Sequence, residues 1–418
     1  MMSLKLNSQN FKSNFPALTH RNFRLYFIGQ CISLIGTWMQ SIGQSWLVLS
    51  LTKSTFLISL ITLMQFLPMM IFSLFAGNII DRFPKKKVLY FTQTAFMVLA
   101  VVLASLTYFK VVQYWHVLVM AFLLGLINTL DMPTRMTYFS DLVGKEDLMN
   151  AIALNSSIFN LARIVGPALA GVLIGLVGIA VCFYLNALSF VAVLFALYLI
   201  DVGHVKPETQ KYESIKQVFG DIWDGLKYIS QSPKILFPLV IMGIVSLFAM
   251  NHSVLIPLYA KEILNQGAAG YGFMMTCMGI GSFLGALWVA TQSRKGPSHT
   301  LLIYTSILAS LGISVLGIER SYLIACITLF GIGLFVVLFA SMVNSSIQIY
   351  SKDQMRGRVI STYTLLSGGM TPLGSLFIGG LMEASGITNA MVISGIISFI
   401  FILVTLVFLN KKPKPMLS

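Results

Sequence analysis

The residue with the clearest potential for chemistry is Arg163, the one charge between positions 148 and 200. Ser156 and Asn160 precede it at spacings of four and three, so the three side chains share one face of a helix. An arginine in an apolar segment costs at least ~2.5–3.5 kcal/mol on insertion scales, which calls for a water-filled cavity or a polar partner. The pattern predicts either a cationic contact for an anionic ligand group or a structural arginine held by carbonyls or amides between helices.

Uncharged polar side chains follow a line along the first long apolar stretch, at spacings of three, four, three and four. They are Gln30, Ser33, Thr37, Gln40 and Gln44. A second line contains Asn344 and Gln348, completed by Ser341 or Ser345. Lipid penalises such side chains, so both lines predict the wall of a substrate cavity. Hydrogen bonds between packed helices are the alternative interpretation.

Three further residues are candidates for proton chemistry. Asp131 and Arg135 are four residues apart around Pro133. They predict either a local ion pair at a membrane edge or a carboxylate that takes up and releases a proton. His252, beside Asn251, has a side chain that can titrate between pH 5 and 8. The alternative for His252 is a merely hydrogen-bonded histidine.

Several chemistries have no pattern in this sequence. There is no Gly-Lys-Ser/Thr phosphate loop for ATP, and no HExxH or His–carboxylate set for hydrolysis. The four cysteines are dispersed through apolar segments and predict neither a metal site nor a disulfide framework. We therefore expect no enzyme activity, no metal and no cofactor.

The composition places these residues in a membrane. Only 10% of the 418 residues are charged, 56% are hydrophobic, and the mean hydropathy is +0.83. A soluble domain carries about a quarter charged residues. The net charge of +14 comes from short basic clusters between apolar runs, which argues against nucleic acid as a partner. The sequence predicts an all-α integral membrane protein with the lipid bilayer as its surroundings.

Charge-free stretches give the number of spans. Residues 88–109 can form a helix of about 33 Å, enough to cross the hydrocarbon core. The same test applied along the chain predicts twelve transmembrane helices. With the N-terminus in the cytoplasm, the outer loops hold only four basic residues, Lys53, Lys110, Lys261 and Arg320. The positive-inside bias therefore predicts that the N- and C-termini lie in the cytoplasm.

The chain divides into two halves of six helices each. The predicted domains are 1–201, a linker at 202–234 with an amphipathic helix, and 235–418. "GPALAGVLIG" at 166–175 aligns with "TPLGSLFIGG" at 371–380, in the fifth helix of each half. Such a repeat is typical of transporters. It identifies residues for close helix packing or bending: Gly166, Pro167, Gly171, Pro372 and Gly380.

A charged cluster, "GNIIDRFPKKKVL" at 77–89, lies between the second and third predicted helices. It resembles the loop motif of the major facilitator superfamily, with Phe83-Pro84 where a glycine is more usual. The matching residues are Gly77, Asp81, Arg82, Lys86 and Lys87. "RNFRLYFIGQCISLIGTWMQ", "DMPTRMTYFSDLV", "NAIALNSSIFNLARIVGPALAG" and "RGRVIST" resemble its transmembrane secretion effector branch, which includes enterobactin exporters and macrolide efflux proteins.

The resemblance implies a two-half major facilitator fold in which the charged cluster is a cytoplasmic latch. Asp81 would end the second helix, where the helix dipole does not favour an anion, so we expect a cationic partner. Arg82, Arg356 and Arg358 are candidates. A simple topology signal is the alternative interpretation of the cluster.

The function that follows is secondary active export by alternating access, with protons as the expected coupling ion and a monomer as the expected state. The resemblance implies a small amphipathic natural product, and Arg163 favours a siderophore-like molecule with anionic groups. A broad multidrug, macrolide or lipid-related transporter is the first alternative. A receptor or scaffold without transport is a distant one.

Overall fold

The computed structural model describes residues 15–52, 54–80, 83–201, 215–292 and 296–409, and all regular structure in these ranges is helical. A short 3₁₀ turn, Pro16–Thr19, precedes the first long helix. The α-helices are α1 Arg21–Leu51, α2 Thr55–Ile80, α3 Lys85–Tyr108, α4 Tyr114–Val143, α5 Leu148–Leu176, α6 Ile179–Leu199, α7 Ile215–Gln231, α8 Pro233–Phe248, α9 His252–Leu258, α10 Ala268–Gln292, α11 His299–Ile318, α12 Tyr322–Tyr350, α13 Asp353–Thr364, α14 Met370–Ser385 and α15 Ile387–Leu409.

Most of these helices have the length and composition of a membrane span. Within the described residues, eleven segments pass that test. Helix α1 is a further candidate, since its 31 residues reach about 46 Å and its glutamines are what lower its hydropathy. The all-α, multi-pass fold predicted from the sequence is thereby confirmed.

Two spans are assembled from broken helices. Helices α8 and α9 and the π-helical turn Tyr259–Ile263 form one continuous segment, Pro233–Ile263. The π-helical turn Leu365–Gly369 joins α13 to α14 in the same way. Proline occurs near these irregularities, at Pro257 in α9 and Pro372 in α14. Because proline has no backbone N–H, it weakens the regular hydrogen-bond ladder at those points.

The described residues form two compact units. The first contains the residues up to 47 and those from 67 to 201. The second contains 48–66 and the described residues from 215 onward. Helix α2 therefore contributes its first half to the second unit and its last half to the first.

In the first unit, glycines let α1 lie directly against α6. Gly29, Gly36 and Gly43 are seven residues apart, and a side-chain carbon at any of them would meet α6. At Gly36 that carbon would lie 2.6 Å from Ser189 Oγ and 2.7 Å from Asn186 Oδ1. Small residues at such a seam allow the backbones of membrane helices to approach closely.

In the second unit, α10 and α12 pack backbone to backbone. A side-chain carbon at Gly281 would overlap the carbonyl of Phe330, and one at Gly285 would lie 2.9 Å from Leu334 O. Gly333 of α12 in turn faces the carbonyl of Met278. The linker helix α7 packs on α13, where Tyr228 Oη accepts a hydrogen bond from Lys352 N at 3.1 Å.

Candidate functional site

The polar centre of the first unit is an ion pair on α4. Asp131 Oδ2 accepts a hydrogen bond from Arg135 Nη2 one helical turn away. The Asp131 side chain is 1% exposed and the Arg135 side chain 20%. Pro133 lies between them in the helix. The pair is therefore local, as the sequence allows, but its carboxylate is deep in the protein.

Two neighbouring helices add hydrogen bonds to this pair. On α3, Thr92 Oγ1 and Gln93 Nε2 both donate to Asp131 Oδ1, at 2.7 and 2.8 Å. On α1, Gln30 Oε1 accepts from Arg135 Nη1 at 2.9 Å. All three side chains are at most 1% exposed. Burying the two charges is costly, and these hydrogen bonds offset part of that cost.

Arg163 belongs to α5 and contacts α1. Its guanidinium carbon lies over the ring of Trp38 of α1, 5.7 Å from the ring centroid, and Trp38 packs edge-to-face on Phe159 with ring centroids 5.7 Å apart. Trp38 is eight residues beyond Gln30, which is about 12 Å along the helix axis. Among the described residues, Arg163 forms no ion pair. A half-buried cation without a counter-ion favours an anion as its ligand.

The other two residues of the predicted α5 face bond to their own helix. Ser156 Oγ donates to Ile152 O at 3.0 Å, and Asn160 Nδ2 donates to Ser156 O at 2.8 Å. The Ser156 side chain is exposed and that of Asn160 is half-buried. Both remain accessible beside Arg163 along the helix, and their role as cavity residues stays a prediction.

The polar side chains in the line on α1 form hydrogen bonds with different partners. Gln30 bonds to Arg135, while Gln40 Oε1 accepts from Asn186 Nδ2 of α6 at 2.6 Å. Thr37 Oγ1 donates to the carbonyl of Ser33 within α1 at 2.9 Å. Gln30, Ser33 and Gln40 are buried, Gln44 is half-buried and Thr37 is exposed. Two members of the line thus make the interhelical hydrogen bonds of the alternative interpretation.

In the second unit, the predicted cavity residues of α12 bond to each other. Gln348 Nε2 donates to Asn344 Oδ1 at 2.5 Å. His252 begins α9 and is 8% exposed. Its neighbour Asn251 donates from Nδ2 to Leu247 O at 2.8 Å and accepts from Ser375 Oγ at 3.3 Å. This hydrogen bonding holds the break between α8 and α9 against α14.

Part of the predicted latch lies outside the described residues. Asp81 and Arg82 are the two latch residues outside that part of the chain. For Gly77 only the helical backbone is described. Lys86 Nζ donates to Ile200 O at 2.6 Å, and Lys87 is exposed.

Two of the arginines proposed as latch partners, Arg356 and Arg358, belong to the second unit. Arg358 Nη1 lies 3.6 Å from Asp224 Oδ2 of the linker helix α7. Arg356 is half-buried. Asp224 is thus a partner of Arg358 that the sequence did not indicate, and the contact to Asp81 stays a prediction.

The glycine and proline positions of α5 lie within its packed face. Gly166, Pro167 and Gly171 are all buried. A side-chain carbon at Gly166 would overlap Trp38 and lie 3.0 Å from Ile35 O. This glycine brings α5 onto α1 next to the Arg163–Trp38 contact.

The corresponding positions of α14 differ. Pro372 is buried, but nothing lies within 4 Å of a side-chain carbon at Gly380. The close approach falls instead on Gly379, against Ser59 and Thr55 O of α2, and on Gly374, against Leu247 O. The close packing on α2 thus falls on Gly379 and not on Gly380, because a one-residue change rotates the side chain by about 100° around the axis. The bending role of Gly380 stays a prediction.

Sequence reasoning missed Thr92 and Gln93, which donate to Asp131, and Asn186, which donates to Gln40. The signal was present, since Thr92 and Gln93 are adjacent polar residues inside the charge-free stretch 88–109. In a membrane span such residues need a partner as much as a charge does.

Comparison with known proteins decides the family. A model of transmembrane secretion effectors matches residues 12–415, nearly the whole chain. The chain belongs to the transmembrane secretion effector family. This secretion effector is thus a transporter of the major facilitator type, as its motifs predicted.

Similar transporters cover the same length. A staphyloferrin A transporter of Staphylococcus aureus is 27% identical over 402 residues, which is 94% of this chain and 97% of that protein. The multidrug efflux pump Tap of Mycolicibacterium fortuitum is 26% identical over 352 residues, with coverages of 82% and 84%. The enterobactin exporter EntS of Shigella boydii is 21% identical over 380 residues, with coverages of 90% and 89%.

Solved structures share the fold of this secretion effector. A POT family transporter in complex with 5-aminolevulinic acid matches with a TM-score of 0.72 at 12% identity, covering 94% of this chain and 97% of that one. The nucleoside transporter NupG matches with a TM-score of 0.72 at 12% identity, with coverages of 94% and 99%. At these identities the likeness concerns the fold alone.

Proposed function

We propose that this protein is a secondary active exporter of a small amphipathic natural product with anionic groups, of the siderophore type. Family membership over residues 12–415 supports transport. The similarity to a staphyloferrin A transporter and to an enterobactin exporter, each over at least 89% of both chains, supports the substrate class.

Arg163 is the observation that carries the substrate chemistry. Its guanidinium lies over the Trp38 ring and forms no ion pair among the described residues. A guanidinium presents its N–H donors in a planar fork, which suits a carboxylate or catecholate oxygen. The indole and the ring of Phe159 would pack against the apolar part of the same ligand.

Protons are the coupling ion that the polar centre supports. Among the described side chains, Asp131 is the one buried carboxylate. Uptake of a proton would remove the negative charge of Asp131 and release Arg135 from the ion pair. The polar centre would therefore have two states, one with the ion pair and one without it. Such a carboxylate inside a membrane span is a candidate for a proton relay.

The transport cycle would be alternating access between residues 1–201 and 235–418, joined by the linker 202–234. Each chain would contain its own pathway and act as a monomer. The basic residues support an inner-membrane protein with both termini in the cytoplasm.

The first test is thermal stabilisation of the purified protein by siderophores, macrolides and lipophilic cations. A ligand at ~100-fold excess over its Kd stabilises by about 2.7 kcal/mol. An anionic siderophore should stabilise the wild type and lose the effect in Arg163→Ala. Arg163→Lys is the matched control, because it keeps the charge and removes the planar fork, and we expect an intermediate effect.

Multidrug or macrolide efflux is the second candidate, favoured by the similarity to the efflux pump Tap. It predicts stabilisation by lipophilic cations or macrolides that is equal in the wild type and in Arg163→Ala. That outcome would reject the anionic substrate and make Arg163 a structural residue.

A further inference from the structure

A polar line follows α4 from its buried middle to its end. Asp131, Arg135, Tyr138 and Asp141 are spaced four, three and three residues apart, which puts them on one helix face. Asp141 Oδ1 pairs with Lys85 Nζ at 2.9 Å, and these side chains are 14% and 29% exposed. The line thus connects the buried carboxylate to an accessible ion pair where α3 begins.

Several buried polar atoms around this line have no hydrogen-bond partner in the protein. They belong to α1, α3 and α4, the three helices that surround the ion pair. The atoms are Tyr26 Oη, Gln30 Nε2, Gln93 Oε1, Arg135 Nε and Tyr138 Oη. Tyr26 and Tyr138 pack edge to face with 5.6 Å between their ring centroids, so the cluster is continuous.

The mixture of atoms indicates which ligand would satisfy them. Arg135 Nε and Gln30 Nε2 can only donate, Gln93 Oε1 can only accept, and the two hydroxyls can do both. A cation would be repelled by Arg135, and an anion by Asp131 and by Gln93 Oε1. Water both donates and accepts, and buried water usually forms about three hydrogen bonds to otherwise unsatisfied groups.

We propose that this cluster binds ordered water and that the water connects Asp131 to the aqueous end of α4 at Asp141 and Lys85. The route rests on the proposed function, since it would carry the coupling proton. A proton entering at the Lys85 end passes along water and the Tyr138 hydroxyl to Asp131, each carrier accepting one proton and releasing another. The net change is one proton on Asp131 and an Arg135 guanidinium without its counter-ion.

Radiolytic hydroxyl-radical labelling tests the water directly. Radicals formed from bound water oxidise the side chains that touch it. Tyr259 is the matched control, because it is as deeply buried as Tyr138 but donates its hydroxyl hydrogen bond to Glu319 O at 3.0 Å. In the wild-type protein we expect oxidation of Tyr138 several-fold faster than that of Tyr259. Equal, slow oxidation of both would overturn the water site.

Transport by Tyr138→Phe tests the route. The variant keeps the ring against Tyr26 and removes one hydroxyl. In proteoliposomes, the ratio of proton-driven transport to substrate counterflow should fall several-fold, and an unchanged ratio would overturn the route.

Fast Tyr138 labelling in a protein that moves no protons would support the water site and refute proton coupling. Proton-driven transport together with slow Tyr138 labelling would support proton coupling and refute the water site. If Tyr138→Phe fails to fold, the labelling of the wild-type protein still decides whether the water site exists.

Discussion

Asp131 and Arg135 depend on each other because the carboxylate is buried, the guanidinium is half-buried, and each neutralises the other. The carboxylate accepts hydrogen bonds from Thr92, Gln93 and Arg135, so removing it leaves a guanidinium with only Gln30. Breaking a buried pair by removing one partner is far more destabilising than replacing both. This distinguishes the pair from ion pairs at the ends of helices.

We predict that Asp131→Asn lowers the free energy of unfolding by about 3–5 kcal/mol. The double variant Asp131→Asn/Arg135→Gln should recover more than half of that loss, because no unpaired charge remains. Thermal unfolding in detergent measures both. Asp141→Asn is the control, since its partner Lys85 is more accessible to water, and equal losses for the two single variants would contradict the prediction.

At the scale of helices, backbone contact between α10 and α12 depends on glycines without a side chain. A methyl group at Gly281 has no room beside the carbonyl of Phe330. Overpacking a tight interface typically costs 1–3 kcal/mol.

We therefore predict that Gly281→Ala lowers the unfolding midpoint. Gly380→Ala, which adds the same methyl group where nothing lies within 4 Å, should be neutral or stabilise by about 0.5–1 kcal/mol. Differential scanning fluorimetry compares the two. A loss of transport in Gly380→Ala without a loss of stability would instead support the bending role predicted for that glycine.

The start of α2 is held by a carboxylate from α14. Glu383 Oε2 accepts from Ser54 Oγ at 3.0 Å and from Phe56 N at 3.2 Å. Thr55 Oγ1 donates to Gly379 O at 2.9 Å beside it. A negative charge at a helix N-terminus is stabilised by the N–H groups and the helix dipole there.

Glu383→Ala should release this end of α2. We expect faster hydrogen exchange at the amides of Phe56 and Leu57, measured by mass spectrometry, because Phe56 N–H loses its acceptor. Glu262→Ala is the control, an exposed carboxylate 4.0 Å from Lys261, and it should leave exchange in α2 unchanged. Unaltered exchange at Phe56 in Glu383→Ala would show that the contact does not hold the helix.

At the scale of the whole molecule, the twelve predicted spans, being even in number, would place both chain ends on one side of the membrane. The excess of basic residues in alternate loops favours the cytoplasm as that side. We predict that alkaline phosphatase fused after Ser418 is inactive in cells, whereas a fusion after Lys110, in the loop between α3 and α4, is active. Activity of the C-terminal fusion would overturn the proposed orientation.

Several residues of the polar centre could be predicted from the sequence. Asp131, Arg135 and Gln30 stand out because each is a polar residue in a long apolar stretch. The sequence does not show that these residues form one site, because Gln30 and Arg135 are 105 residues apart. A helical line of polar residues does not specify which neighbouring helix it faces. The same limit applies to Gln40, whose partner Asn186 is 146 residues away.

The sequence by itself determined the membrane location, the helical fold and the family, because a bilayer demands long apolar helices whose backbone bonds are all internal. These properties are local and can be counted along the chain. The tertiary structure decided which polar atoms meet, that the Arg163 guanidinium lies over the ring of Trp38, and that Gly379 rather than Gly380 touches α2. Such contacts depend on the rotation of each helix about its axis, which packing sets and composition does not.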